Sequence, residues 1–455
     1  MLVPKWMGHK HRDPVSSGGG VSCHLDFTRM TALKVRPARL MVMSFVDFLA
    51  ASPSSYHACA EMSRMLSSAG FVPQKETEDW DPDPGGHFIQ RDGALIAYRL
   101  PATTTPNMRF HIVGVHTDSP GFKLKPHPQH VSAGWAQAGM EVYGGPLLNS
   151  WLDREFGLAG RVILRTGEQR LIATDPWLRI PQLAPHLDRS VNEALRLDRQ
   201  QHLMPVYGLC PDNTDIMEAV ADAADCRVGQ IRGHDLFSYI PQPPQVFGVD
   251  KQFLASGRLD DLACVYPGVM AMVDVHPEPD IIPVLACFDH EEVGSATRSG
   301  ADGPFLEDVL GRICLGLSLD GDEIYQVRAR SEVVSADVGH SVHPNYVVMH
   351  DPDEQPLLGG GPMLKVNAGQ RYTTEGPGAA MWEAVCEQAE VPCQTFVSHN
   401  SVSCGTTIGP IISTRLGIST IDVGLAILSM HSAREMCSVL DPDYLAKALT
   451  VFFTA

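Results

Sequence analysis

Apolar residues along this chain fall into short runs that stop at polar clusters. Residues 109–115 (Arg-Phe-His-Ile-Val-Gly-Val) form a β-branched run that enters His116-Thr117-Asp118. Comparable runs at 281–288, 312–319, 333–336, 363–367 and 419–424 predict strands. Helical spacing predicts helices over 55–70, closed by Gly70, and over 261–274 and 376–390. Nearly continuous apolar strands alternating with helices point to an α/β fold, with a central mixed sheet flanked by helices. From 128 to 247 the texture changes to Gly- and Pro-rich turns (Tyr143-Gly144-Gly145-Pro146, Pro241-Gln242-Pro243-Pro244) and short alternating strands. The expected organisation is therefore a discontinuous domain made of 43–127 and 248–455, interrupted by a smaller β-rich domain at 128–247.

Residues 1–42 read differently. They carry seven Lys or Arg against Asp13 and Asp26, with a Ser-Ser-Gly-Gly-Gly run at 16–20 and no apolar core of a signal peptide. The stretch is expected to be a disordered or non-native N-terminal extension, with Met41 or Met43 as the true first residue, or else a basic transit peptide. The eleven cysteines of the whole chain are odd in number, irregularly spaced and without a CxxC pair, which argues for a reducing, cytoplasmic setting and against a disulfide framework or thiolate zinc site. No stretch approaches ~20 uninterrupted apolar residues, so no membrane span is expected. The 455 residues hold 35 Lys plus Arg and 53 Asp plus Glu, a net charge of −18. That acidity argues against nucleic acid and anionic membranes as partners.

Residues able to bind metal recur where the predicted strands end, the usual place for sites on such sheets. They are His116 with Asp118, Asp260 with Asp261, Glu291 with Glu292, Asp337 with His340 and His343, and His431. In His116-Thr117-Asp118 the two-residue period points His116 and Asp118 the same way, so that the carboxylate can fix the imidazole. Asp260 or Asp261 has an alternative reading as a helix N-cap. Adjacent Glu291 and Glu292 allow one to bind a metal and the other to act as general base. His290-Glu291-Glu292-Val293-Gly294 fails the HExxH motif at Gly294. Two histidines (116, 431) and three carboxylates (260, 292, 337) form a nitrogen/oxygen set suited to zinc, with Mn or Co as substitutes, and one shared carboxylate can bridge two ions ~3.5–4 Å apart. No GxSxG elbow or GxxxxGK[ST] loop competes with it.

The ordered segments VGVHTDSPGFKLKP, SGRLDDL, FDHEEVGS, SADVGHSVHPNY, GPMLKVNAGQRY, SCGTTIGPIISTRLG and MHSAREM together resemble the aspartyl aminopeptidases, from about Phe45 to the last helix. The resemblance implies a metallo-exopeptidase with two zinc ions per subunit that removes N-terminal Asp, then Glu, from peptides. It implies that His116 and Asp337 hold one ion, Glu292 and His431 the other, and that Asp260 bridges them. Glu291 would take the proton of the bridging water and return it to the leaving amine, while Asp118 orients His116. Lys365 and His340 would bind the acidic side chain, and Tyr372 would assist the oxyanion. His186 would reach into a neighbouring subunit's site. The interrupting β-rich domain would dimerise, within a homo-oligomer that is a dodecamer built from dimers.

Two positions depart from the family. Asp261 stands where Asn is usual, and Ser401 where an Asp is common; the second leaves acidic selectivity less secure than dimetal chemistry. A dimetal aminopeptidase or deacylase of other or broad specificity is therefore the alternative, separable by whether Lys365→Ala abolishes Asp-over-Leu preference. A non-catalytic assembly protein would lack a ligand or the base, and none is missing. For an acidic substrate, charge from the metals, Lys365 and His340 would have to outweigh the unfavourable global field.

Overall fold

The computed structural model describes residues 36–210 and 215–455, with side chains from Ser44 onward. The expectations for residues 1–35 lie outside the described residues. The first described helix, Arg36–Ala51, begins inside the 1–42 stretch.

A nine-stranded mixed sheet organises the larger α/β part. Four adjacent strands at its centre, Ile281–Phe288, Arg109–His116, Glu332–Ala336 and Ser419–Gly424, run parallel, with Phe288 level with His116. Their side chains alternate between two cores. Val113, Val115, Leu285, Cys287, Val334 and Val423 face the helices Leu259–Asp274 and Asp441–Phe452. Ile112, Ile282, Val284, Ala286 and Val333 face Phe305–Gly316 and Gly409–Leu416 on the other side. Burial on both faces explains why these strands read as continuous apolar runs.

The 312–319 run is not a strand. Ile313 and Cys314 close the helix Phe305–Gly316, whose Phe305, Leu306, Val309 and Leu310 are buried at helical spacing, while Leu315 is 65% exposed. A short apolar run cannot be distinguished from the buried stripe of a helix without its upstream turns. The expected helix at 55–70 is Ser55–Ser68, capped by the Ser54 hydroxyl on the His57 N–H, with Gly70 at φ +85° just beyond its end.

The smaller part is a barrel. Six strands, Gly121–Ser132, Trp135–Tyr143, Val206–Leu209, Leu178–Arg179, Glu155–Leu164 and Ile231–Tyr239, form a closed ring, because the last pairs with both Glu155–Leu164 and Gly121–Ser132. Phe122, Leu124, Phe156, Leu158 and Leu236 fill its core. Its first strand crosses the sequence-based boundary at 128. A third sheet of five strands places Ser256 opposite Glu435 and pairs Gly339–His340 with Ala426–Leu428. It thereby brings three loops that carry ligand-type residues to one edge of the central sheet.

Candidate metal centre

The carboxyl ends of the four parallel strands converge on one cluster. His116 ends its strand, Asp337 follows Glu332–Ala336, Glu291 and Glu292 follow Ile281–Phe288, and His431 lies beyond Ser419–Gly424. Gly424 permits the close approach there, since a Cβ would fall 1.7 Å from the Asp337 carbonyl oxygen. Asp260 enters from the start of the helix Leu259–Asp274, but not as its N-cap. That place is taken by Arg258 in the left-handed region (φ +62°), and Asp260 and Asp261 keep non-helical dihedrals.

Asp260 lies between the two histidines. Its Oδ1 is 3.1 Å from His116 Nε2 and its Oδ2 is 3.3 Å from His431 Nε2. Asp337 Oδ1 approaches His116 Nε2 at 3.9 Å, and Glu292 Oε2 approaches His431 Nε2 at 3.6 Å. Both imidazoles have their other nitrogen engaged. His116 Nδ1 donates to the Asp118 carbonyl oxygen at 3.1 Å, and His431 Nδ1 to the Gly145 carbonyl oxygen at 2.9 Å. In their neutral tautomers these rings would aim Nε2 lone pairs at carboxylate oxygens, an arrangement that only a cation or a proton between them makes favourable. Asp260 Oδ1 and Glu292 Oε1 are buried and make no hydrogen bond. A nitrogen/oxygen donor set with orphaned carboxylate oxygens fits zinc. Three groupings, His116 with Asp260, Asp261 and Asp337, His116 with Glu291 and Glu292, and Asp260 with Glu292 and His431, each present ligand atoms within 4.8 Å of one another.

Electrostatics agree with such a site. Burial pushes the Glu292 carboxyl well above its usual range, with Asp260 adding to the effect. Burial likewise pushes Glu291 up to about 7, reinforced by Asp337, Asp118 and Asp260 against the pull of His116. Asp260 moves the other way: burial opposes its ionisation, but His116 and His431 outweigh it and hold the carboxyl below its usual range.

The supporting contacts include several that no motif announced. The Asp118 side chain stands 3.5 Å from His116 Nδ1, but its short bonds are elsewhere: it accepts the N–H groups of Glu291 and Glu292 and the hydroxyl of Tyr143. Tyr143 and Gly145 come from the barrel and its exit, so the smaller part helps to build the centre. Glu435 accepts the N–H of His431 at 2.7 Å and of Asp260 at 3.1 Å. Its place in MHSAREM, four residues after His431, was the only available signal. Asp261 Oδ2 accepts the His116 N–H at 3.2 Å.

A cavity of about 680 Å3 opens from this cluster and is lined by Glu291, His340, Lys365 and Tyr372. Lys365 is 1% exposed; its Nζ donates to the Val338 carbonyl oxygen at 2.8 Å, lies 4.0 Å from Asp337 Oδ2 and sits 5.4 Å from the Tyr372 ring centre. His186 is not brought to the cavity. It is exposed on the irregular segment between Ile180 and Val206.

The sequence profile described as aminopeptidase I zinc metalloprotease (M18) matches residues 48–453. A probable M18 family aminopeptidase 2 of Streptomyces avermitilis is 49% identical over 414 residues, covering 90% of this chain and 96% of that protein. Its counterpart from Mycobacterium leprae is 40% identical over 416 residues, 90% of this chain and 97% of that protein. Among solved structures, the Ape4 and Nbr1 complex superposes with a TM-score of 0.88 at 33% identity, over 91% of this chain and 86% of that one. The S. cerevisiae mApe1 dodecamer gives 0.80 at 28% identity, over 91% and 96%. With the profile spanning nearly the whole globular region and a fold shared throughout, the chain belongs to the M18 family of zinc metallo-aminopeptidases.

Proposed function

We propose that this aminopeptidase removes unblocked N-terminal Asp, then Glu, from peptides, using two zinc ions per subunit. His116 and Asp337 would hold one ion and His431 and Glu292 the other. The observation that carries this reading is Asp260, whose two oxygens face two different imidazoles at 3.1 and 3.3 Å. When bound, the ions would polarise the scissile carbonyl and make water nucleophilic near neutral pH.

The remaining work falls to the chain. Glu291 takes the proton of the attacking water and delivers it to the leaving amine. Its backbone N–H is held by Asp118, which positions the base beside the proposed ligand Glu292. Lys365, the one lysine or arginine among the lining residues, and His340 receive the acidic side chain, while Tyr372 stabilises the oxyanion. Broad specificity remains the second reading, favoured by the apolar Met349, Val402 and Met430 that also line the cavity.

A homo-oligomer, a dodecamer built from barrel-mediated dimers, is part of the proposal. The mApe1 dodecamer supports it by fold. So do Leu183, Leu187 and Leu195, which are 58%, 75% and 41% exposed around His186 on a segment expected to meet a neighbouring site. A cytoplasmic setting is supported by the absence of any disulfide among the described residues. Among those residues no helix is long and apolar enough to cross a membrane.

The test is a panel of Asp-, Glu- and Leu-p-nitroanilides, with and without chelator. Asp should lead and chelator should abolish turnover. Equal or faster Leu turnover would refute the acidic specificity, and loss of Asp preference in Lys365→Ala would support the assigned pocket.

A further inference from the structure

The cavity is larger than one acidic residue needs, and its lining holds both carboxylates and histidines. One end carries the carboxylate-rich metal cluster. The lining also includes His340, His350 and His399, with Ser398 and Ser403. His340 and Lys365 already serve the N-terminal side chain in the reading above; His350 and His399 have no role there.

Backbone bonds fix the tautomers of these two rings. His399 Nδ1 accepts the Ser401 N–H at 3.1 Å, and His350 Nε2 accepts the His343 N–H at 3.0 Å. An imidazole nitrogen that accepts must be unprotonated, so in each neutral ring the other nitrogen carries the hydrogen. His399 is left with Nε2–H and His350 with Nδ1–H as donors without a need to be charged. Two acidic groups stand nearby: Glu354, and Asp351, whose carboxyl is held below its usual range by the N–H groups of Asp353 and Glu354 and then by His399. Asp351 Oδ1 is occupied by the N–H groups of Asp353 and Glu354, and Glu354 is the one carboxylate lining the cavity away from the metal cluster.

We propose that His350 and His399 form a second anion subsite, which receives a carboxylate on the part of the peptide beyond the scissile bond. This rests on the aminopeptidase reading and adds to it a preference for peptides with two acidic groups. The carboxylate has two possible sources, the side chain of an acidic second residue or the free C-terminus of a dipeptide.

The test compares kcat/KM for Asp-Ala-Ala-amide, Asp-Glu-Ala-amide, Asp-Ala-amide and Asp-Ala in the metal-loaded enzyme. Asp-Glu-Ala-amide should exceed Asp-Ala-Ala-amide about tenfold, chiefly through KM, as expected for a hydrogen bond to a charged group. A similar advantage of Asp-Ala over its amide would show that a C-terminal carboxylate also reaches the subsite. The ratio is read within each variant, so changes in the common rate cancel. His399→Asn keeps an acceptor for the Ser401 N–H but removes the distal donor, and should bring the ratio close to one. His399→Lys and Glu354→Gln should raise it. If Asp-Ala-Ala-amide is cleaved and neither acidic peptide is preferred, or if the preference survives His399→Asn and ignores Glu354→Gln, the subsite is refuted and the aminopeptidase reading stands. If no peptide is cleaved, both fall.

Discussion

Asp118 binds the chain at Glu291: its Oδ1 accepts the Glu291 N–H at 3.0 Å, while Oδ2 accepts the N–H of Glu292 at 3.1 Å and the hydroxyl of Tyr143 at 2.8 Å. One side chain from the end of one parallel strand thus sets the backbone that carries both the proposed base and a proposed ligand, and ties it to the barrel.

Asp118→Asn should therefore be harmful despite its near-identical shape. Whichever way the amide turns, its NH2 faces a backbone N–H that has lost its acceptor. A fall of about 10–100-fold in kcat or metal affinity is expected. Steady-state kinetics with metal analysis by mass spectrometry would check it, and wild-type values in both would remove Asp118 from its positioning role.

Glu291→Gln separates chemistry from metal binding. The amide retains the size and exposure of the side chain but cannot accept a proton from water. Metal content should match the wild type, with turnover lower by about 10²–10⁴-fold. A variant that turns over normally would show that another group is the base.

Asp261 is a buried carboxyl with Oδ1 unpartnered. Burial drives its pKa well above the usual range, and Asp337 and Asp260 push the same way. A group raised in this way favours the fold at low pH and loses that contribution as pH rises toward its folded pKa. Asp261→Asn keeps an acceptor for the His116 N–H without the ionisable group. Metal-free protein at pH 8 should gain about 1–3 kcal/mol, measured by denaturant unfolding; a loss would mean that the carboxylate is needed.

His111 gives the opposite sign. Burial depresses it to about 4, with Arg109 adding to the effect and the Phe452 carbonyl opposing it. Nδ1 donates to that carbonyl at 2.6 Å and Nε2 accepts from Arg109 Nε at 3.0 Å, so protonation would break the second bond. The folded state then binds fewer protons than the unfolded chain between pH 6.5 and 4, and stability is lost as pH falls through that window. From pH 7.5 to 5.5, metal-free wild type should lose roughly 1 kcal/mol more than His111→Asn. Equal losses would contradict the assignment.

Much of the proposed centre was legible because its ligand-type residues follow apolar strands, and both features are local. His116, Glu292 and Asp337 each lie within four residues of such an end. The 312–319 run was misread because its helix shows only over the preceding turns. Tyr143, Gly145 and Glu435 were missed for a different reason. Tyr143 and Gly145 meet Asp118 and His431 only after the barrel closes against the sheet, and that closure depends on pairing Ile231–Tyr239 with Glu155–Leu164, far apart in sequence. Asp118 reads as a partner of His116, yet two of its three short bonds are to backbone N–H groups, which leave no mark on the sequence.

The central claim is a two-ion centre shared through Asp260. Zinc titrated into metal-free protein, with Asp-p-nitroanilide hydrolysis followed at each addition, tests it most directly. Activity should be absent at the start and reach its plateau at two equivalents per chain; full activity before any addition, or a plateau at one equivalent, would contradict it.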